Sequence, residues 1–436
     1  MPLIFLLVAA LSGFAPEPTP GPQPPKTSAA LAREARAAYD AGDKAGFLRL
    51  TEEIAVRRPG DVYVLYNLAC GQALNGQTDA AVKSLQAIAA RGAVADLDAD
   101  TDFDSIRQAD GYRKVRDQMA ALRTQRISSG AVTAFTIREK GLVPEGVAYD
   151  PRTKSFFVSS IRKRKVVRID ASGKVSDFVK PAEGGLRSAC GIAADPKRRA
   201  LWVASEAMPH MEGFKKGDPP ASAVFEFDLD TGRLRREYRP PASEPPAAFD
   251  DLALAPDGRL FINDGRNPRI WTLAPGGGAI ELFLESDAFR GTQGMAVTPD
   301  GRTLYVSDYT SLYRVDLGSK RVTPLAVPPD AALNGIDGLV YAAGSLYGIQ
   351  NGVEPNRVTR LDLSADGASI AGAKILVMNH PDFDEPTLGV AAEGALYFTA
   401  NSQGGKFQNE KKPITPEAMQ DAVILKLPLG ASSASR

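Results

Sequence analysis

Glu145-Gly146-Val147-Ala148 is a short apolar segment that recurs, with small changes, six times in the last two-thirds of the sequence. A turn and a second short strand follow each copy, as in Pro256-Asp257-Gly258 and Phe261-Ile262-Asn263 after the third. The copies begin about 45 residues apart, a repeat length typical of β-propellers. The sequence therefore predicts a mainly β fold, a six-bladed β-propeller whose first strands surround one channel. The residues that open these strands are Glu145, Cys190, Asp250, Gln293, Asp337 and Leu388.

Two further strands predict how the ring closes. Ala131–Arg138 precedes the first copy and Ala422–Pro428 follows the last. We expect these strands to complete blade 6 of a propeller spanning 131–429, because closure removes exposed sheet edges. Two long loops, 206–221 and 401–421, are predicted to lie over the channel mouth.

The region before the propeller, residues 28–125, has the apolar periodicity of amphipathic helices. Phe47 and Ala81 occupy equivalent places in two helix pairs, at an offset of about 34 residues, which is the tetratricopeptide period. The sequence therefore predicts an N-terminal all-α, tetratricopeptide-like helical-repeat domain. Two interpretations stay open, a groove that binds a protein partner and a short helical cap. The predicted helices are Ala29–Tyr39, Lys44–Val56, Val62–Leu74 and Asp79–Ala90.

The two ends of the chain have biased compositions. The apolar run 2–15 resembles the core of a signal peptide and is too short to span a bilayer. We therefore expect residues 1–15 to be a signal peptide and the protein to be periplasmic or secreted. Residues 16–27 form a Pro-rich linker and residues 430–436 a disordered tail. No later segment is apolar enough to predict a membrane span.

Bulk composition excludes several classes of function. The chain has 436 residues, with 52 Lys and Arg against 52 Asp and Glu, so a nucleic-acid partner is not expected. Only two Cys and two His are present, which argues against a disulfide framework and excludes a three-histidine zinc site.

Three carboxylates and one amide converge on the predicted channel: Glu145, Asp250, Gln293 and Asp337. Carboxylates this close repel one another unless a cation is present. An all-oxygen donor set suits calcium, whereas zinc prefers thiols and imidazoles. The sequence predicts one divalent cation here, with Ca²⁺ the best match, serving either catalysis or channel structure.

Four phrases of the propeller carry a family resemblance: Pro144-Glu145-Gly146, Phe249-Asp250-Asp251, Ile336-Asp337-Gly338-Leu339 and Tyr347-Gly348-Ile349-Gln350-Asn351-Gly352. With these phrases the propeller resembles the family of senescence marker protein, gluconolactonases and luciferin-regenerating enzyme. That family binds one divalent metal through a Glu, two Asn and an Asp. By this resemblance Glu145 and Asp337 match the Glu and the Asp, whereas Asp250 and Gln293 stand where the family has Asn.

The resemblance implies a metal-dependent hydrolase of lactones or related small esters, with Asp337 or Asp250 as general base. A different interpretation is a non-catalytic scaffold that binds proteins or ligands through the helical repeats and the propeller face. Polar residues at second-strand ends and in the loops either bind substrate or satisfy backbone groups at turns. The candidate substrate-binding residues are Asn351, Asp308, Asp264 and His210.

Overall fold

The computed structural model describes residues 26–217, 219–243, 245–407 and 415–429. The predicted signal peptide, most of the predicted linker and the predicted tail lie outside these residues. Within the described ranges, no helix is long and apolar enough to cross a membrane.

The chain builds six four-stranded antiparallel sheets, so the predicted six-bladed propeller is confirmed. Blades 1 to 3 contain β2 (Pro144–Asp150), β3 (Ser155–Ser160), β4 (Lys165–Ile169), β5 (Val175–Val179), β6 (Ser188–Asp195), β7 (Ala200–Glu206), β8 (Ser222–Asp228), β9 (Leu234–Tyr238), β10 (Leu252–Leu254), β11 (Leu260–Asn263), β12 (Arg269–Leu273) and β13 (Ile280–Glu285). Blades 4 and 5 contain β14 (Met295–Val297), β15 (Thr303–Ser307), β16 (Leu312–Asp316), β17 (Val322–Pro324), β18 (Ile336–Ala342), β19 (Ser345–Gln350), β20 (Arg357–Leu363) and β21 (Ile370–Met378).

Blade 6 is built from both ends of the propeller sequence, as predicted. Its first two strands are β22 (Gly389–Ala392) and β23 (Ala395–Thr399), followed by β24 (Ala422–Pro428). The outermost strand, β1 (Val132–Ile137), pairs antiparallel with β24. This pairing ties the start of the propeller to its end and leaves β24 with no free edge.

Side chains at the ends of second strands join neighbouring blades. The Ser159 hydroxyl donates a hydrogen bond to the Cys190 carbonyl in the next blade. The Ser307 hydroxyl donates to the Ile336 carbonyl at 2.9 Å, and the Thr399 hydroxyl donates to the Glu145 carbonyl at 2.9 Å. These bonds satisfy backbone carbonyls where first strands begin, so they fix the spacing of the residues around the channel.

The helical region contains four helices in two antiparallel pairs, followed by a fifth helix. Thr27, Asp43 and Asp61 accept hydrogen bonds from the first turns of α1, α2 and α3, as N-cap residues do. Gly42 and Gly76, both at φ +73°, provide the turns within the two pairs. The helices are α1 (Ser28–Asp40), α2 (Lys44–Arg57), α3 (Val62–Leu74), α4 (Thr78–Ala90) and α5 (Asp110–Thr124), and a short α6 (Gly404–Phe407) lies in the blade 6 loop.

The helical region packs on blade 5, at the end where the first strands begin. The guanidinium of Arg357, only 1% exposed, donates to the carbonyls of Arg91 and Gly92 at 2.9 and 2.7 Å. The Asn334 amide donates to the Asp61 carboxylate at 2.8 Å, and its oxygen accepts from the Val62 N–H at 2.7 Å. These buried polar contacts hold the helices beside the channel mouth. Their assignment as tetratricopeptide-like repeats stays a prediction.

Candidate functional site

The six opening residues lie where the first strands begin, at the same end of the propeller. Glu145, Cys190 and Asp337 lie within β2, β6 and β18. The other three, Asp250, Gln293 and Leu388, come directly before β10, β14 and β22.

Glycines after the opening residues allow adjacent first strands to approach closely. A Cβ on Gly146 would lie 2.9 Å from the Cys190 carbonyl oxygen. A Cβ on Gly294 would lie 2.4 Å from the Asp337 carbonyl oxygen. Both distances are shorter than a methyl group tolerates, so the repeated glycine is a packing requirement of the channel wall.

Glu145 faces other acids across the channel. Burial raises the pKa of its carboxyl well above the ordinary value, and the charges of Asp337, Glu385 and Asp250 raise it further. The Ser402 hydroxyl lies 3.4 Å from a Glu145 carboxylate oxygen. A carboxylate that meets several like charges favours either a proton or a bound cation.

Asp337 is the second acid of this group. Burial raises the pKa of Asp337 to about 7, with contributions from Glu385 and Asp250 that a hydrogen bond from Asn351 partly offsets. The Asn351 amide donates to the Asp337 carboxylate at 2.6 Å, which fixes the orientation of that carboxylate. Of the four predicted substrate-binding residues, Asn351 is therefore the one that contacts a channel carboxylate.

Asp250 is hydrogen-bonded to another carboxyl group, that of Glu206 at the end of β7. Burial raises the pKa of both groups, and each carboxyl affects the pKa of the other. Arg266 lies 3.2 Å from Glu206 and favours its ionised form. Two carboxyls this close do not both ionise readily, so the pair favours a form that holds one proton between them.

Gln293 stands at the rim beside Tyr309. Its backbone N–H donates to the Ser307 carbonyl at 2.8 Å, and burial raises the pKa of the nearby Tyr309 hydroxyl, whereas the Gln293 side chain lowers it. Tyr309 is 54% exposed and experiences the charges of Asp250 and Asp337. An exposed aromatic ring with a polar tip at this place can contact a solute that enters the channel.

Sequence reasoning did not identify three acids of this site: Glu206, Asp251 and Glu385. Asp251 occupies the position where most other copies have glycine, and burial raises its pKa to about 7. That break in the repeat was the signal that could have identified it. Glu206 and Glu385 lie outside the repeated phrase, so only the packed structure brings them to the axis.

Two of the predicted substrate-binding residues are inaccessible to a solute. Asp264 is fully buried and accepts from the Ala248 N–H, the Asn267 amide and the Trp271 indole. Asp308 is also fully buried and accepts from the N–H groups of Thr310 and Ser311 at 2.8 Å. Such bonds are typical of aspartates that stabilise turns. The structure therefore gives no support to substrate binding by Asp264 or Asp308.

His210 lies at the mouth, next to Glu385. Its Nε2 is 3.6 Å, and a Glu385 carboxylate oxygen 3.5 Å, from the point where a Cβ on Gly404 would stand. Burial lowers the pKa of the His210 imidazole. The Gly405 N–H donates to Glu385 at 2.8 Å. His210 is thus placed where it can contact a solute entering the acidic side of the channel.

The blade 2 loop also contributes an apolar contact beside Cys190. Met208 in this loop packs against Cys190, Val143 and Ile161. Met419, from the blade 6 loop, joins the same cluster. Described residues of both long loops therefore meet beside Cys190.

The donor chemistry of the channel fits a hard divalent cation. Carboxylate and amide oxygens are the ligands that Ca²⁺ prefers, and repulsion among these acids would be relieved by a cation. The predicted carboxylates do not converge as a tight trio, since Cys70, Asp100 and Asp102 are the one group of three such ligand atoms found within 4.8 Å of one another in the described residues.

The fold and the site define a six-bladed propeller with a cluster of acids on its axis. Within that class, residues 143–325 match the family described as SMP-30/gluconolactonase/LRE-like region, and the resemblance seen in the sequence is confirmed.

Several solved structures are similar to this chain. A gluconolactonase from Xanthomonas campestris is 17% identical, with a TM-score of 0.46, covering 69% of this chain and 89% of that one. Regucalcin, a calcium-binding protein from Agrobacterium tumefaciens, is 18% identical, with a TM-score of 0.47, covering 68% and 94%. A luciferin-regenerating enzyme is 15% identical, with a TM-score of 0.48, covering 68% and 95%. None of the curated proteins compared with the chain matches it.

Proposed function

We propose that this protein is a divalent-metal-dependent hydrolase of lactones or related small esters that acts in the propeller channel. The observation that carries the proposal is the set of axial acids, whose pKa values are raised by burial and by one another. A cluster of carboxylates with raised pKa values is destabilising by itself and is typical of sites that bind a cation or catalyse a reaction. The family match over residues 143–325 supports the same class of chemistry.

The residues that would hold the ion are Glu145, Asp250, Gln293 and Asp337, and Ca²⁺ is the ion that suits their oxygens best. When bound, such an ion polarises an ester carbonyl and lowers the pKa of a water molecule. Asp250 would first have to release the proton that it shares with Glu206, because a cation competes with that proton. Arg266 favours the ionised form of Glu206 and so opposes the return of the proton to that side chain.

Asp337 is the better candidate for general base. Its carboxylate is held by the Asn351 amide at 2.6 Å, whereas the Asp250 carboxyl is engaged with Glu206. In lactone hydrolysis the base accepts a proton from water as the water oxygen bonds to the carbonyl carbon, and it returns that proton to the ring oxygen as the ring C–O bond breaks, which gives a hydroxy acid. The exposed Tyr309 and the half-buried His210 stand at the mouth, where they can orient the incoming ring.

The substrates would be small. Described residues of the blade 2 and blade 6 loops meet beside Cys190, and the helical region flanks blade 5. A monocyclic lactone or short ester fits such a restricted entrance better than a polymer does. The non-catalytic scaffold remains the second candidate, because a separate cavity between helices and propeller offers a binding site away from the axis.

The first experiment is to measure metal content and Ca²⁺ affinity of the full chain beside the Asp337→Ala variant. The matched control is Asp287→Ala, which removes an exposed aspartate. We expect one bound ion in the wild-type and control proteins, and its loss in Asp337→Ala. A panel of aldonolactones and short esters, with and without chelator, then tests hydrolysis.

The outcomes separate the two candidate functions. Chelator-sensitive turnover that disappears in Asp337→Ala would support the hydrolase. An ion without turnover would favour a structural calcium in a binding scaffold, and absence of an ion from all three proteins would contradict the mechanism.

A further inference from the structure

A second polar site lies away from the channel, between the helices and the propeller. It is a cavity of about 350 Å³ bounded by α1, α2 and α3, with Arg290 and Thr310 on the propeller side. Its volume is roughly ten times the share of about 30 Å³ that one water molecule takes in the liquid. The space therefore suits a small organic group better than a bare ion.

One end of this cavity is acidic and aromatic. The Cys70 sulfur and carboxylate oxygens of Asp100 and Asp102 lie within 4.8 Å of one another. The Tyr66 hydroxyl donates to Asp100, and the Tyr39 hydroxyl donates to Asp102 at 3.0 Å. The two carboxylates are thus held side by side by tyrosines that line the same cavity.

The neutral groups of this cluster stay neutral at physiological pH. Burial raises the pKa of the Cys70 thiol, and burial together with the hydrogen bond to Asp100 raises that of Tyr66. The hydrogen bond to Asp102 and burial raise the pKa of Tyr39 to about 12. The charge at this end of the cavity therefore comes from Asp100 and Asp102.

Three of the nearby arginines lie closest to carboxylates other than Asp100 and Asp102. Arg36 pairs with Asp40 at 2.9 Å, Arg58 lies 3.8 Å from Asp308, and Arg107 pairs with Asp104 at 2.6 Å. Among the described residues, no Lys or Arg nitrogen lies within 4.0 Å of an Asp100 or Asp102 carboxylate oxygen. Two adjacent carboxylates in a cavity attract a cation from outside the chain.

We propose that this cavity binds an organic ammonium group, carried by a free amine or by a lysine side chain of a peptide. The carboxylates accept its N–H donors in charge-assisted hydrogen bonds. The rings of Tyr63 and Tyr66 line the same space and offer the aromatic faces that alkylammonium groups favour, whereas the Arg36 guanidinium already lies over the Tyr39 ring. This site is separate from the channel, so the proposal does not depend on the proposed hydrolase activity.

Calorimetric titration of the full chain tests the proposal, with two probes that separate the two sources. Cadaverine represents a free amine, and acetyl-Gly-Lys-Gly-amide represents a peptide lysine. The test variant is Asp100→Asn with Asp102→Asn. The control is Asp98→Asn, which removes an exposed acid of the same loop. Thermal unfolding of each variant checks that it is folded, and the single substitutions give the same readout if the double variant unfolds.

We expect at least one probe to bind and its affinity to fall by about tenfold or more in the double variant, as expected for loss of charge-assisted hydrogen bonds. Asp98→Asn should keep the wild-type affinity. Binding of cadaverine alone would identify free amines as ligands, and binding of the peptide would identify a lysine side chain. Failure of both probes at millimolar concentration, or affinities that the double variant leaves unchanged, would overturn the proposal. Tight Zn²⁺ binding abolished by Cys70→Ser would also overturn it, in favour of a metal site.

Discussion

Two aspartates of the propeller, the half-buried Asp337 on the axis and the fully buried Asp150 between blades 1 and 2, have pKa values shifted in opposite directions. Burial alone would raise both. Asp150 is fully buried, but the Arg199 guanidinium donates two hydrogen bonds to it at 2.9 and 2.8 Å, and its pKa is lowered. Asp337 meets Glu385, Asp250 and the neutral Asn351 amide, and its pKa rises to about 7.

The difference distinguishes a structural acid from a functional one. Asp150 forms an ion pair with Arg199 of the same chain, and this pair joins blades 1 and 2. Among the described residues, Arg266 beside Glu206 is the one arginine or lysine that forms an ion pair with these acids, so like charges meet around the channel. Burial therefore does not identify a site by itself, whereas burial among like charges does.

Breaking the structural pair should have the largest effect on stability. Arg199→Met leaves the Asp150 carboxylate buried without its guanidinium. We expect the free energy of unfolding to fall by about 3–5 kcal/mol, the usual cost of removing one partner from a buried ion pair. Urea unfolding of the full chain measures this change.

The matched control is Arg152→Met, which removes an exposed arginine 4.0 Å from Asp230. We expect it to cost less than about 1 kcal/mol, as exposed ion pairs do. If both variants lost the same free energy of unfolding, the ion pair of Asp150 with Arg199 would contribute no more to stability than an exposed pair does. The contrast between Asp150 and Asp337 would then not hold.

Adding Ca²⁺ tests the axial side of the comparison through its dependence on pH. Asp251 and Asp337 have folded-state pKa values of about 7, above the ordinary value of an aspartate. The folded protein without an ion therefore binds more protons than the unfolded chain, and its stability falls as pH rises from the ordinary aspartate range to about 7. Ca²⁺ relieves the repulsion, and at a hundred times its Kd it should stabilise the protein by about 2.7 kcal/mol.

We expect this stabilisation to be larger at pH 8 than at pH 5, because at pH 5 protons compete with the ion. Thermal unfolding with Ca²⁺ and with chelator, at both pH values, measures it. A gain that is equal at the two pH values, or greater at pH 5, would show that the ion does not bind at the axial acids.

The smallest of the expected free-energy changes is that of Asn351→Ala, and it concerns catalysis. This change removes the 2.6 Å hydrogen bond to Asp337 and leaves all the axial charges in place. We expect a loss of about 1 kcal/mol in transition-state stabilisation, close to fivefold in kcat/KM, as for one hydrogen bond. Ser364→Ala, which removes a hydroxyl from a hairpin turn, is the control and should not change kcat/KM. An unchanged rate in Asn351→Ala would show that Asp337 needs no orientation by this amide.

Much of the fold was predictable because it repeats. The strand Ala422–Pro428 has the predicted bounds, and Val132–Ile137 lies within the predicted Ala131–Arg138. The predicted helix Val62–Leu74 is also found with the same bounds, since Asp61 and Asn75 flank it as strong end signals. Propensity and periodicity are local properties, so local sequence is enough to indicate them.

The site was predictable only where it follows the repeat. Glu145, Asp250, Gln293 and Asp337 each open a first strand, and their metal-binding role remains a prediction. Glu206 and Glu385 belong to loops and strand ends with no repeating position. The burial of Asp264 and Asp308 could not be predicted either, because an aspartate after a strand can either stabilise a turn or bind a ligand, and the sequence pattern is the same in both cases.

The sequence by itself determined the six-bladed ring, its closure by the terminal strands and the column of polar residues at its axis, because hydrophobic periodicity and turn chemistry act over short stretches of chain. Only the tertiary structure decided which acids share a proton, which meet an arginine and which remain without one. Those relations depend on distances between residues far apart in the chain, such as Asp150 and Arg199 or Asp250 and Glu206, and such distances exist only once the blades have packed.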